Sequence, residues 1–296
     1  WCAWMCYDGF LRAQKSMRAS LFVFSVFLAA ICFLGQASAA QHMSGVASRD
    51  ARAPSDEAAK TASPSPKIIV IGFVGGRVHA DDATHSGVQL AARIREEFPS
   101  GAYINTFANH DGEEAHQAVL RALDTNHDGQ LSAAEKYNAR IVIYGHSWGA
   151  SETVALADAL DRDGIPVLLT IQVDSVMKHG ENDAVIPPNV AEAVNYYQTD
   201  GLLHGRSTIR AADPSRTNVI GNFRFSYGPK PIACEAAYPW WDRLAMQQHI
   251  EIECDPKISH EMEQLIRATL RASGAEPPHA NAANAATVTA NHNPAP

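Results

Sequence analysis

Apolar residues fall into two patterns that take turns along the chain. Residues 68–73, 102–107, 141–144 and 167–173 are short, nearly continuous apolar runs, the pattern of strands buried on both faces of a parallel sheet. Between them, residues 88–98, 113–123 and 151–161 repeat apolar positions at three- and four-residue spacing, which gathers those side chains on one face of a helix. Strands and helices in alternation predict an α/β layer fold, a mainly parallel sheet flanked by helices. Beyond residue 174 the pattern loosens. A helix is expected near residues 190–197, a strand at 219–225 and a closing helix over about 261–272, and no internal repeat is visible.

The two ends lack both patterns. Residues 17–40 run from Met17-Arg18 through an apolar stretch at 21–34 to Ala37-Ser38-Ala39-Ala40; a basic start, an apolar middle and a small-residue end form the layout of a secretory signal, with cleavage expected after Ala39. The rival reading, a membrane anchor, asks about 20 apolar residues to span a bilayer, more than this stretch supplies. Residues 1–16 precede the signal and are given no fold. Residues 40–66 are rich in Ala, Ser and Pro and residues 274–296 in Ala, Asn and Pro; such segments bury too little apolar surface to offset the entropy of ordering. The expected organisation is signal and upstream residues 1–39, linker 40–66, folded domain 67–273 and tail 274–296.

Chemistry enters where the third strand ends. The run at 141–144 passes directly into Gly145-His146-Ser147-Trp148-Gly149-Ala150 and then into a helix, which is G-x-S-x-G in the strand-turn-helix setting that gives the motif meaning. Glycines on either side let strand and helix approach closely, so the turn thrusts the serine hydroxyl out at the carboxyl edge of the sheet. Open α/β sheets bind ligands at that edge. A serine that only caps the helix is the plainer alternative.

Tyr144-Gly-His-Ser-Trp-Gly-Ala150 resembles the nucleophile elbow of α/β-hydrolase lipases, esterases and thioesterases, and the resemblance spans about residues 67–272. It implies a Ser-acid-His triad in that chain order, with Ser147 as nucleophile. Asp174 follows the strand at 167–173 immediately and is the expected acid, with Asp183 and Asp200 as alternatives. His260 lies just before the closing helix, where the family's general base commonly sits; His249 and His204 are the alternatives, and His146 is read as structural. The resemblance also implies two backbone oxyanion donors, Trp148 after the nucleophile and Val74, or Phe73, in the loop Gly72-Phe-Val-Gly-Gly76. A plain glycine turn is the rival for that loop.

A second motif lies between the second helix and the elbow strand. Asp124-Thr-Asn126-His-Asp128-Gly129-Gln130-Leu-Ser132-Ala-Ala-Glu135 matches D-x-[DN]-x-[DN]-G-x5-E at every position. It resembles an EF-hand, in which Asp124, Asn126, Asp128, the Gln130 carbonyl, Ser132 and a bidentate Glu135 would surround one Ca2+ with oxygen. Structural calcium is therefore expected, bound with the modest affinity of extracellular sites. His79, Asp81, Asp82 and His85 are metal-like types without metal-site spacing and read as a solvated loop or a helix start. Tyr238, Trp240 and Trp241 could wall an apolar pocket or simply pack.

Composition narrows the picture further. The formal net charge is −8 over 296 residues, which offers no pull toward nucleic acid. Loss of residues 1–39 removes Cys2, Cys6 and Cys32 and leaves Cys234 and Cys254 as a candidate disulfide in an oxidising compartment. The expectation is an exported hydrolase, periplasmic or extracellular, acting on a small-molecule or lipid ester or thioester, with no stable membrane anchor after signal cleavage. The competing class is an inactive secreted calcium-binding interaction module on the same scaffold.

Overall fold

A computed structural model of the chain describes residues 66–98, 101–228, 230–236, 238 and 240–274. The expected signal lies outside these residues, as do all of the linker but Pro66 and all of the tail but Gly274.

Six strands form one parallel sheet: β1 (Lys67–Val74), β2 (Tyr103–Ala108), β3 (Ala139–His146), β4 (Val167–Val173), β6 (Val190–Gln198) and β8 (Asn218–Phe225), in the order β2-β1-β3-β4-β6-β8. Two short strands, β5 (Val185–Ile186) and β7 (Arg210–Ala211), pair with each other apart from it. Helices α1 (Ser86–Glu97), α2 (Gly112–Leu123), α3 (Ala133–Tyr137), α4 (Trp148–Arg162), α5 (Trp240–Cys254) and α6 (Pro256–Ala272) follow the strands in chain order.

Strand side chains alternate between two buried faces, which is why these runs read as continuously apolar. Ile69, Ile71 and Phe73 of β1 join Ile141 and Ile143 of β3 in a core covered by α2 and α4, through Val119, Val154 and Leu160. Val70, Val142 and Tyr144 point the other way, into a core closed by Leu90 and Ile94 of α1, Ile252 of α5, and Ile258, Met262 and Ile266 of α6. Each such fully buried Ile or Leu contributes on the order of 1.5–3 kcal/mol, so both layers hold the strand ends in fixed positions.

Strand β2 lies on one side of β1 and strand β3 on the other. The chain therefore reverses its direction of winding at β1, and connections leave the sheet to opposite sides there. That opens a crevice at the carboxyl ends of β1 and β3.

Two expectations change. The segment expected as a helix near residues 190–197 is strand β6, with Val190, Ala193, Val194 and Tyr196 buried; Val190-Ala-Glu-Ala-Val-Asn-Tyr-Tyr fits either period, and pairing with β4 and β8 on both edges decides for strand. The closing helix begins at Pro256 rather than near residue 261, because the Asp255 side chain accepts from the Lys257 N–H as N-cap and the proline stands in the first turn. Among the described residues no helix is long and apolar enough to cross a membrane.

Candidate active site

Strand β3 delivers Ser147 into a tight turn. Its backbone has φ 58° and ψ −126°, a conformation that costs a non-glycine residue on the order of 1–3 kcal/mol and persists only where the surroundings enforce it. Here the surroundings are backbone. A Cβ on Gly145 would lie 2.3 Å from the Gly149 carbonyl oxygen, and one on Gly149 would lie 2.4 Å from the Phe73 carbonyl oxygen. The two motif glycines thus let the start of α4 rest directly on β3 and on the end of β1.

Asp174 follows β4 and is fully buried. Its Oδ1 accepts from the Gln198 N–H at 3.1 Å and the Gly205 N–H at 2.8 Å, and its Oδ2 accepts from Gln198 Nε2 at 2.8 Å. Burial alone would raise its pKa, but hydrogen bonds from His249 and Gln198 and the His249 imidazole bring it below the usual carboxylate range. Asp174 is thus held as an anion whose second oxygen faces a histidine.

That histidine is His249, on α5. Its Nδ1 stands 2.7 Å from Asp174 Oδ2 and its Nε2 stands 2.8 Å from Ser147 Oγ. Because an ionised carboxylate only accepts, Nδ1 carries the proton and Nε2 faces the serine hydroxyl as acceptor. Serine, imidazole and carboxylate form one hydrogen-bonded line, all three side chains buried.

The base expected at His260 is therefore corrected. His260 sits in the second turn of α6, exposed, with its Nε2 paired to Gln264 Nε2 at 2.7 Å. The early start of α6 at Pro256 carries His260 outward, and the preceding helix brings His249 inward. Helix α5 breaks at Met246, where φ is −133° and ψ 28°, so its second half approaches the sheet edge on its own course. The alternative acids serve elsewhere: Asp183 pairs with Arg206 and Ser175, and Asp200 with Arg224 and the Tyr227 N–H.

The remaining expected groups lie around the elbow. Trp148 is the first residue of α4, where backbone N–H groups point out of the helix end. Val74 closes β1, and a Cβ on the adjoining Gly75 would meet the Ser147 Cβ at 2.8 Å. Asn109 stiffens this loop by donating to the carbonyls of Val74 and Gly76, at 3.3 and 2.6 Å. Beyond Gly76 an open groove runs along Arg77, His79 and Asp81 to His110 and Asp111. Charged and imidazole groups alternate along it with Val78, Ala80 and Ala108.

No protein family's sequence profile matches the chain, and no curated protein matches it in sequence. Similar solved structures include esterases. An acetylxylan esterase aligns with 71% of this chain and 99% of its own at 11% identity and a TM-score of 0.34. A cutinase-like protein from Cryptococcus sp. aligns with 73% of this chain and 98% of its own at 12% identity and a TM-score of 0.35. An arylesterase aligns over 38% of both chains at 11% identity and a TM-score of 0.26, and a thermostable esterase from Pseudomonas putida over 39% of this chain and 37% of its own at 18% identity and 0.28. The aligned region thus spans well under half of those last two proteins, and all four likenesses are distant.

The acidic loop folds around its own backbone. Asp124 accepts from the N–H groups of Asp128 and Gly129, Asn126 from that of Asp128, and Asp128 from that of Gln130. His127 at φ 60° and Gly129 at φ 79° make the sharp turn. Glu135 faces another way: one carboxylate oxygen accepts from the Thr125 N–H and hydroxyl, the other from the Ser132 N–H and hydroxyl, completing a capping box on the short helix α3. These bonds, from Ser132 first and then from Thr125, lower the Glu135 pKa to about 2. Among the described residues no three His, Cys, Asp or Glu side chains are gathered to hold a metal.

Cys234 and Cys254 face each other with Cα atoms 5.3 Å apart, a spacing a disulfide accommodates. Tyr238, read as either a pocket wall or a packing residue, turns inward beside His85 at a ring separation of 5.3 Å, whereas Trp240 is exposed.

Proposed function

We propose that the chain is a serine hydrolase of the α/β-hydrolase type that cleaves carboxylic esters or thioesters, with Ser147 as nucleophile, His249 as general base and acid, and Asp174 as the carboxylate that orients it. The single observation that carries this reading is the hydrogen-bonded line from Ser147 Oγ through His249 to Asp174, at 2.8 and 2.7 Å. Ser147 Oγ bonds to the substrate carbonyl carbon while its proton passes to His249 Nε2. The tetrahedral oxyanion is met by the backbone N–H groups of Trp148 and Val74; one such donor typically lowers the barrier by about 3 kcal/mol. Collapse expels the alcohol or thiol, which takes the proton back from Nε2. Water, deprotonated by the same nitrogen, then frees the acid and regenerates Ser147.

The groove that begins at Gly76 adjoins the oxyanion loop and offers room for part of the substrate. The esterases it resembles are consistent in reaction class. Export, followed by closure of a Cys234–Cys254 disulfide, belongs to the same proposal. The kinetic test is a p-nitrophenyl acetate time course. One equivalent of p-nitrophenolate per chain should be released in a burst before a slower steady state, the mark of an acyl-enzyme; no release above the blank would overturn the reading.

Calcium is proposed as a structural ion. The loop offers only hard oxygen donors, those of Asp124, Asn126, Asp128, the Gln130 carbonyl, Ser132 and Glu135, which suits Ca2+. Binding would draw on Glu135, now engaged with Thr125 and Ser132, and would supply charge neutralisation to the acidic turn. The loop is tied to the far end of the nucleophile helix, since Lys136 Nζ donates to the Asp163 carbonyl at 2.6 Å and His116 pairs with the Asp163 carboxylate. Calcium at 100 times its Kd should raise Tm by several degrees, from about 2.7 kcal/mol of linkage at roughly 2–4 °C per kcal/mol, and Glu135→Gln should lose the response. An unchanged wild-type melting curve across millimolar Ca2+ would refute it.

A further inference from the structure

Behind the triad lies a second buried carboxylate that the proposed reaction does not use. Glu253 stands one helical turn beyond His249 on α5, so the two side chains share a face. Its Oε1 accepts from His85 Nδ1 at 2.8 Å and its Oε2 is paired with the Tyr238 hydroxyl. The same Oε2 lies 3.6 Å from His146 Nδ1. His146 in turn touches the base twice: its Nε2 donates to the His249 carbonyl at 3.0 Å, and its ring lies against the His249 ring with centroids 4.6 Å apart and planes tilted 34°.

The protonation pattern follows from these partners. A carbonyl only accepts, so His146 carries a proton on Nε2. Burial, opposed by Glu253, lowers its pKa to about 4, and the ring is neutral in ordinary buffers. Burial would raise Glu253, but the His146 and His85 imidazoles and the Tyr238 hydroxyl lower it, and beside a neutral His146 the bonds from His85 and Tyr238 are what keep it ionised. An anion and a neutral ring therefore stand in sequence behind His249. When His249 takes the serine proton it becomes a cation, and a neutral His146 avoids repelling it while Glu253 attracts it.

The geometry points to Glu253 as a positioning residue for His249: a buried carboxylate that, with His146 interposed, fixes the ring and favours its imidazolium form during turnover. Two anchors hold the carboxylate there, since Ser86 Oγ donates to the Glu253 carbonyl at 2.6 Å and Cys254 adjoins Cys234. The charged and titratable groups that face it are His85 with Asp82 behind it, His146 and Tyr238. Those facing His249 are Asp174, Ser147 and His146, and Tyr227 lies within electrostatic reach of both Asp174 and Glu251.

The inference rests on the triad reading, and the experiment separates the two. Wild type and Ser147→Ala are assayed first on p-nitrophenyl acetate; loss of activity in the latter secures the triad. In Glu253→Gln, kcat should then fall about tenfold with KM unchanged. Removing a nearby anion disfavours an imidazolium formed during turnover, so the acidic limb of the kcat/KM profile should move down by about one to two pH units, the range expected for a charge roughly 6–10 Å away at an effective dielectric near 20. Glu253→Asp, which keeps the charge, should return the limb to within about a third of a unit of wild type. Should Glu253→Gln not fold, Tyr238→Phe strips one donor from the anion, strengthens its field, and should move the limb up instead. With the triad secured, a limb that stays in place in the folded variant overturns the role of Glu253 alone, as does a change confined to Tm.

Discussion

Replacing Ser147 by alanine should lower kcat/KM for p-nitrophenyl acetate at least about a thousandfold while leaving the fold intact. The size follows from what the hydroxyl does: without it no acyl-enzyme forms, and only water attack aided by the oxyanion donors remains. The fold should survive because the turn is built by Gly145, Gly149 and the end of β1 rather than by the side chain, and alanine keeps the Cβ that packs against Gly75. Steady-state rates for the two proteins, with circular dichroism to confirm folding, check it. Equal rates would remove the hydrolase reading.

His249→Gln should lose activity by a comparable factor, and His260→Ala should stay within about twofold of wild type. Glutamine keeps much of the buried volume of His249 but cannot shuttle the proton between serine and leaving group. Members of a triad act as a unit, so Ser147→Ala/His249→Gln should be no slower than the worse single variant. His260 lies on the exposed face of α6 beside Gln264, and its loss changes nothing near Ser147. A large loss in His260→Ala beside a mild one in His249→Gln would mean that α6 rearranges when substrate binds.

These two histidines mark where the sequence stops being legible. The four leading strands, the first helices and the elbow are readable because their signals are local: an apolar run, a three-four spacing, two glycines around a serine. Asp174 is readable for the same reason, since it stands at a strand end. The proposed base is harder, because any histidine from residue 204 to 260 can be brought to Ser147 by a suitable path, and the path depends on where helices begin and bend. One signal was available: Asp255-Pro256 is an N-cap followed by proline, which starts α6 early, turns His260 away and assigns His249 to the helix before it. The bend at Met246 has no such marker. Over residues 190–197 the apolar positions satisfy both periods, and only the two sheet partners of β6 choose strand over the expected helix. The anchoring of Asp174 by Gln198 and Gly205, and the Glu253 network, join residues far apart in sequence, and no local pattern announces them.

The acidic loop shows the opposite case, a motif complete in sequence whose last residue has a second use in the fold. Glu135 both satisfies the twelfth motif position and caps α3 through Ser132. The calcium titration therefore needs Glu135→Gln melted without the ion as well as with it, so that loss of the cap is not mistaken for loss of the metal.

Reaction with a fluorophosphonate, followed by digestion and mass spectrometry, tests the proposed chemistry most directly. Phosphonylation requires a hydroxyl clear of the sheet and an imidazole beside it to take its proton. Stoichiometric adduct on the peptide containing Ser147, greatly slowed in folded His249→Gln and unaffected in His260→Ala, is the result expected. An unlabelled protein, or a label carried by a different serine, would contradict it.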